Sequence, residues 1–180
     1  LLELERCPQA RDCAASTLEG SVRLGETARE IEDPYVAALL AGKTATAHER
    51  GVELVVVTHE RVPPLAVDPS ELVSVLGNLV DNAVQHSPEG SPVTVALSGD
   101  GCLVVSNEGP PLDRQQLARL IRRFQRANRS TQGFGLGLHI ADTIARQSGG
   151  SLTLHSPATG REAGFEARFN APRSLASGTR

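Results

Sequence analysis

Gly133-Phe134-Gly135-Leu136-Gly137-Leu138 sets three glycines at alternate positions and runs straight into Leu138, Ala141, Ile144 and Ala145, the spacing of one helix face. Glycine at every second position removes Cβ atoms from a backbone that must approach something closely. A helix start also leaves N–H groups without intrahelical partners, and these suit phosphate oxygens. Alone, the stretch reads equally well as a glycine-rich turn that opens a helix. A G-x-G-x-x-G dinucleotide fingerprint is excluded, because its third glycine would fall on Leu138.

At 180 residues the chain is long enough for one core with a small helical appendage. A formal net charge of -3 argues against a general nucleic-acid surface, so any polyanion site must be local. Cys7, Cys13 and Cys102 form neither a CxxC pair nor an even framework, and no metal-site spacing joins them to histidines. Free thiols in a reducing compartment are expected. No apolar run has the length of a membrane span and no signal peptide opens the chain. The chain lacks methionine even at position 1, and a piece of a longer protein is expected.

Residues 1 to 31 carry a loose apolar pattern that reads as helical. Asp33-Pro34 is a helix start, since aspartate caps free N–H groups and proline suits the first turn. Val36, Leu39, Leu40 and Ala47 form a stripe, and Gly51 is a stop signal, so residues 1–50 read as a helical hairpin. Within it, Gly42-Lys43-Thr44 matches the end of a Walker A loop. The first glycine of that motif would fall on Ala37, and the required strand is replaced by a helical pattern.

Val52 to Val57 reads as a strand. Asp68-Pro69-Ser70-Glu71 opens a helix whose apolar face is Leu72, Val75, Leu76, Leu79, Val80 and Ala83 and whose polar face holds Ser74, Asn78, Asp81, Asn82 and Gln85. Val93 to Leu97 and Leu103 to Val105 read as strands joined by a turn, which Asn107-Glu108-Gly109-Pro110-Pro111 ends abruptly. Asp113 opens a short helix with Leu117, Leu120, Ile121 and Phe124. Arg126 to Gln132 is a polar loop, Ser151 to His155 and Gly164 to Phe169 are closing strands, and 173–180 is a tail.

Four features therefore follow in order: an asparagine-bearing helix, an Asn-x-Gly turn after a strand, a helix ending in Phe124, and the glycine loop. Asn78 and Asn82 lie four apart on one helix face. An amide oxygen there can add a ligand to Mg²⁺ already held by phosphates; the plain alternative is a solvated face. The Asn107 oxygen can accept from an exocyclic amine while Gly109 makes room for a ring; the plain alternative is a turn. Arg122, Arg123, Arg126 and Arg129 bring guanidinium groups, which match phosphate geometry, toward the loop.

Together the four resemble the ATP-binding catalytic domain of sensor histidine kinases, within the family that includes DNA gyrase, Hsp90 and MutL. Asn78-Leu79-Val80-Asp81-Asn82-Ala83 looks like the N box, Asn107-Glu108-Gly109 like the G1 box, Arg123-Phe124 like the F box, and the glycine stretch like the G2 box. The resemblance implies an α+β fold, a two-layer α/β sandwich of the Bergerat type: a mixed sheet of about five strands covered by three helices over residues 51–172, preceded by the helical hairpin of 1–50. It implies ATP and Mg²⁺ as cofactors, Asn78 and Asn82 as catalytic positions and Asn82 as the metal ligand. Gln85, His86, Asn107, Gly109, Phe124, Arg126, Gly133, Gly135, Leu136, Gly137 and Leu138 are implied nucleotide contacts beside Asn82. A response regulator and a homodimer through the N-terminal helices are the implied partners, with no nucleic acid. The implied location is cytoplasmic, with membrane contact only through segments outside this chain.

The sequence departs from the family at two positions. Asn107 stands where aspartate is usual, which keeps an acceptor but loses its charge, and Gln85 stands where many kinases have lysine or arginine. The gyrase-like ATPases carry a glutamate base at the position of Asn78, and an amide is no base near neutral pH, which favours phosphoryl transfer over hydrolysis. The N-terminal hairpin resembles that of citrate and C4-dicarboxylate sensor kinases through Leu18 to Gly25 and Ala37 to Lys43. The phosphoaccepting histidine of that group should fall near Gln9, which cannot form a phosphoramidate. A pseudokinase that acts as a nucleotide-dependent interaction module, and a serine-directed anti-sigma-type kinase, are the alternatives.

Overall fold

The computed structural model describes residues 29–58, 60–126 and 136–172, with backbone only for 123–126. The first part of the expected hairpin and the tail lie outside the described residues. Helix α1 spans Pro34–Glu49, capped by the Asp33 carboxylate, which accepts from the N–H groups of Tyr35 at 2.9 Å and Val36 at 3.2 Å. Gly42, Lys43 and Thr44 lie inside this helix, where Thr44 Oγ1 donates to the Leu40 carbonyl at 2.8 Å, so no phosphate loop forms there. Gly51 ends the segment in the left-handed region at φ 69°.

Strand β1 (Glu53–Thr58) leads to α2 (Pro69–His86), whose cap Asp68 accepts from Ser70 N–H at 2.8 Å. The apolar face expected on α2 is buried in full. Strands β2 (Pro92–Leu97) and β3 (Cys102–Asn107) form a hairpin, with β3 running two residues beyond the expected end, through Ser106 to Asn107. Helix α3 covers Arg114–Arg126 and opens with a reciprocal cap: Gln116 N–H donates to Asp113 at 2.7 Å while Asp113 N–H donates to the Gln116 side chain at 2.8 Å. Helix α4 (Leu136–Gln147), β4 (Ser151–His155) and β5 (Phe165–Asn170) complete the described chain.

The strand order is β1-β2-β3-β5-β4, with β1 and β2 parallel and the other pairs antiparallel. This is the expected mixed sheet. Leu54, Val56, Val93, Val95, Leu103, Val105, Leu152, Leu154, Ala167 and Phe169 point from one face into a single core shared with the helices. Complete burial of a side chain such as Phe169 or Leu79 is worth roughly 1.5–3 kcal/mol each. A fourth helix joins the three expected: Val36, Leu40 and Ala47 of α1 belong to the same core. Just ahead of α1, Ile31 is also in that core, and its neighbour Glu32 donates N–H to the Val62 carbonyl at 3.0 Å.

On the other face, Glu166 and Arg168 form a buried ion pair at 2.7 Å. Glu166 also accepts from Thr159 N–H at 3.1 Å and Thr159 Oγ1 at 3.0 Å, which ties the β4–β5 connection to its strand.

Candidate functional site

A cavity of about 430 Å³ opens where α2, the end of β3, the start of α3 and the β4–β5 connection meet. From α2 come Asn82 and His86, one helical turn apart. Asn107, Glu108, Gly109, Pro110 and Leu112 follow from the end of β3, and Gln116, Arg119 and Leu120 from α3. Gly164 and Phe165 close the remaining side.

Asn107 is almost fully buried, at 4% exposure. Its Nδ2 donates to the Glu108 carbonyl at 2.8 Å, so Oδ1 is the acceptor it keeps for a ligand in the cavity. Antiparallel pairing places Asn107 opposite Phe165, and Gly164 N–H donates to the Gly109 carbonyl at 2.8 Å. A Cβ on Gly164 would stand 2.6 Å from the Asn107 carbonyl oxygen, so only glycine permits this approach. Ser156 ties the same wall together: Leu112 N–H donates to Oγ at 2.8 Å, and Oγ donates to the Gly164 carbonyl at 2.9 Å. Desolvation at the cavity wall lowers the pKa of His86.

The implied site residues divide into groups. Asn82, His86, Asn107 and Gly109 meet at the cavity. Asn78 stands between α2 and α4: its Nδ2 donates to the Ser74 carbonyl at 2.7 Å, and a Cβ on Gly137 would come within 3.0 Å of its Oδ1. Gln85 is exposed and is absent from the described lining. Leu136 opens α4 and is exposed, whereas Leu138 is buried in the core. Phe124 and Arg126 sit in the last turn of α3, their side chains outside the description, and Gly133 and Gly135 lie outside the described residues.

Gln116, Arg119, Leu120, Leu112, Gly164 and Phe165 line the cavity without any expectation from the sequence. For Gln116 the signal was available in the Asp113-x-x-Gln116 cap, which fixes where α3 starts. For Phe165 it was not, since its place follows from strand register.

Helix α2 is also held from its other side. Lys43 of α1 reaches Asp81, between Val80 and Asn82, at 2.6 Å. The arrangement suits a nucleotide: an apolar slot with one directed acceptor for a base, and an amide oxygen of Asn82 that is a hard donor fit for Mg²⁺ carried by phosphates. Among the described residues no group of three or more His, Cys, Asp or Glu side chains could hold a metal, and no helix is long and apolar enough to cross a membrane.

Comparison with known proteins agrees with this geometry. Residues 67–174 match the family described as histidine kinase-, DNA gyrase B- and HSP90-like ATPase. The sensor protein QseC of Escherichia coli K12 is 40% identical over 94 residues, covering 52% of this chain and 20% of QseC. The sensor histidine kinase CitA of Klebsiella pneumoniae is 29% identical over 167 residues, covering 87% of this chain and 30% of CitA. The chain thus spans less than a third of either relative. The solved catalytic domain of the histidine kinase ThkA superposes with a TM-score of 0.61 at 23% identity, over 79% of this chain and 92% of that one. The five-stranded mixed sheet, the cavity at the end of β3 and the match over residues 67–174 have one conclusion: the chain belongs to the histidine kinase-, DNA gyrase B- and HSP90-like ATPase family.

Proposed function

We propose that this chain holds Mg-ATP and presents the γ-phosphoryl group to a histidine, within a cytoplasmic, two-component sensor kinase that works with a response regulator. The observation that carries the reading is one cavity joining the buried Asn107 acceptor to the Asn82 amide. Asn107 and Gly109 take the base, Asn82 supplies an oxygen to Mg²⁺, and the metal when bound neutralises phosphate charge. Asn78, tied to Ser74 and packed against Gly137, keeps the glycine helix seated on α2. An amide at Asn78 offers no base for water, which supports transfer over hydrolysis.

Glutamine at position 9 supports a recipient histidine supplied by another chain or segment, with dimerisation through the N-terminal helices. Calorimetry with ATP, with and without Mg²⁺, is the test. Asn82→Ala should remove the Mg²⁺-dependent gain in affinity while leaving adenosine binding intact; equal Mg²⁺ dependence in both proteins would exclude Asn82 as the ligand. Labelled ATP should give no acid-labile phosphoprotein from this chain alone. If a histidine-bearing partner hairpin is also left unlabelled, the nucleotide-dependent interaction module becomes the better reading.

A further inference from the structure

We propose that Arg119 is the cation that grips the phosphate chain of the bound nucleotide, in the role that the uncharged Gln85 leaves open. The proposal rests on the ATP-binding reading of the cavity. Helix α3 carries five arginines and no carboxylate between Arg114 and Arg126. Leu117, Leu120 and Ile121 pack against the core, and at 100° per residue this turns Arg119 and Arg122 toward the other half of the helix.

Of these, Arg119 reaches the cavity, beside Gln116 and Leu120 and with Asn82 and His86 of α2 on the same lining. It is the only lysine or arginine among the described lining residues. Among the described residues no ion pair takes Arg119: the described pairs use Lys43, Arg61, Arg146 and Arg168. The carboxylate of the lining, Glu108, lies on the Asn107 turn and makes no ion pair with it. Arg119 is exposed, has no described ion pair, and shares the cavity lining with the apolar side chains of Leu112, Leu120 and Phe165, which offer a guanidinium no polar partner. Phosphate oxygens are the group on a nucleotide that a guanidinium fork fits.

Calorimetry on the full chain with ATP, ADP and adenosine tests the assignment. Arg119→Gln should weaken ATP and ADP by about tenfold and leave adenosine unchanged. It should also reduce the salt dependence of ATP binding. Adding Gln85→Lys to that variant should restore much of the loss. ATP affinity within about twofold of the parent chain would overturn the proposal, as would an equal loss for adenosine, which would place Arg119 over the base. A parent chain that binds no ATP would overturn the site reading as well, so the two failures are distinguishable. Thermal melting of Arg119→Gln should match the parent, since the side chain is exposed.

Discussion

Lys43 Nζ lies 2.6 Å from Asp81 Oδ1, so the only lysine of the chain joins α1 to the helix that carries Asn78 and Asn82. The Lys43 side chain is 22% exposed and that of Asp81 61%, so water competes strongly for the pair. The apolar seat of α1 is deeper, since Leu40 is 1% exposed.

These exposures rank two variants. Lys43→Ala should lower unfolding free energy by no more than about 1 kcal/mol, whereas Leu40→Ala should cost about 2–4 kcal/mol. Urea denaturation of both variants checks the order. A larger loss from Lys43 would mean that the ion pair, not the apolar stripe, seats α1.

Gly164 and Gly90 separate steric approach from backbone strain. Both have positive φ, 87° and 78°, but a Cβ on Gly164 meets the Asn107 carbonyl oxygen at 2.6 Å while one on Gly90 meets nothing within 4 Å. Gly90→Ala should cost about 1 kcal/mol. Gly164→Ala should cost roughly 2–4 kcal/mol and weaken ATP binding, since the wall must move away from Asn107. Paired denaturation and ATP titration would check both.

Ser156→Ala removes a hydroxyl that accepts from Leu112 and donates to Gly164. The expected loss is about 1–2 kcal/mol in stability, with a several-fold weaker ATP affinity because both partners stand at the cavity wall. Unchanged affinity alongside reduced stability would limit Ser156 to a purely structural tie.

The local signals in the sequence were legible because each is completed within a turn of chain. Asp33-Pro34 and Asp68-Pro69 start helices where expected, and the four-residue spacing of Asn78 and Asn82 puts them on one stripe of α2. The stripe Val36, Leu39, Leu40, Ala47 indicates that a face of α1 is buried but not that the sheet's own core covers it, with Leu39 only partly buried at its edge. The pairing of Asn107 with Phe165 and the rotation of α3 that brings Arg119 to the cavity depend on contacts distant in sequence. No local pattern encodes them. The same limit separates Asn78 from Asn82: one stripe, yet one faces Gly137 and the other the cavity.

Two histidines set a pH dependence. Burial lowers the pKa of His86, and burial lowers that of His155 with Glu166 opposing and Arg168 assisting, both from the usual 6.5. The unfolded chain therefore binds more protons than the folded one just below pH 6.5, so stability rises with pH through that window and is complete above it. Denaturation midpoints between pH 5 and 7.5 should fall less steeply on acidification in a His86→Gln, His155→Gln double variant than in the parent, a window of about two units around the ordinary histidine range. Equal slopes would assign the dependence to carboxylates.

The contact between Lys43 and Asp81 also makes the chain its own reporter. Because no other lysine exists, an amine-selective reagent modifies one side chain, and that ε-amine is held by a carboxylate of α2. The rate of acylation at Lys43 therefore reports how often the ion pair between the two helices opens, with no probe to introduce.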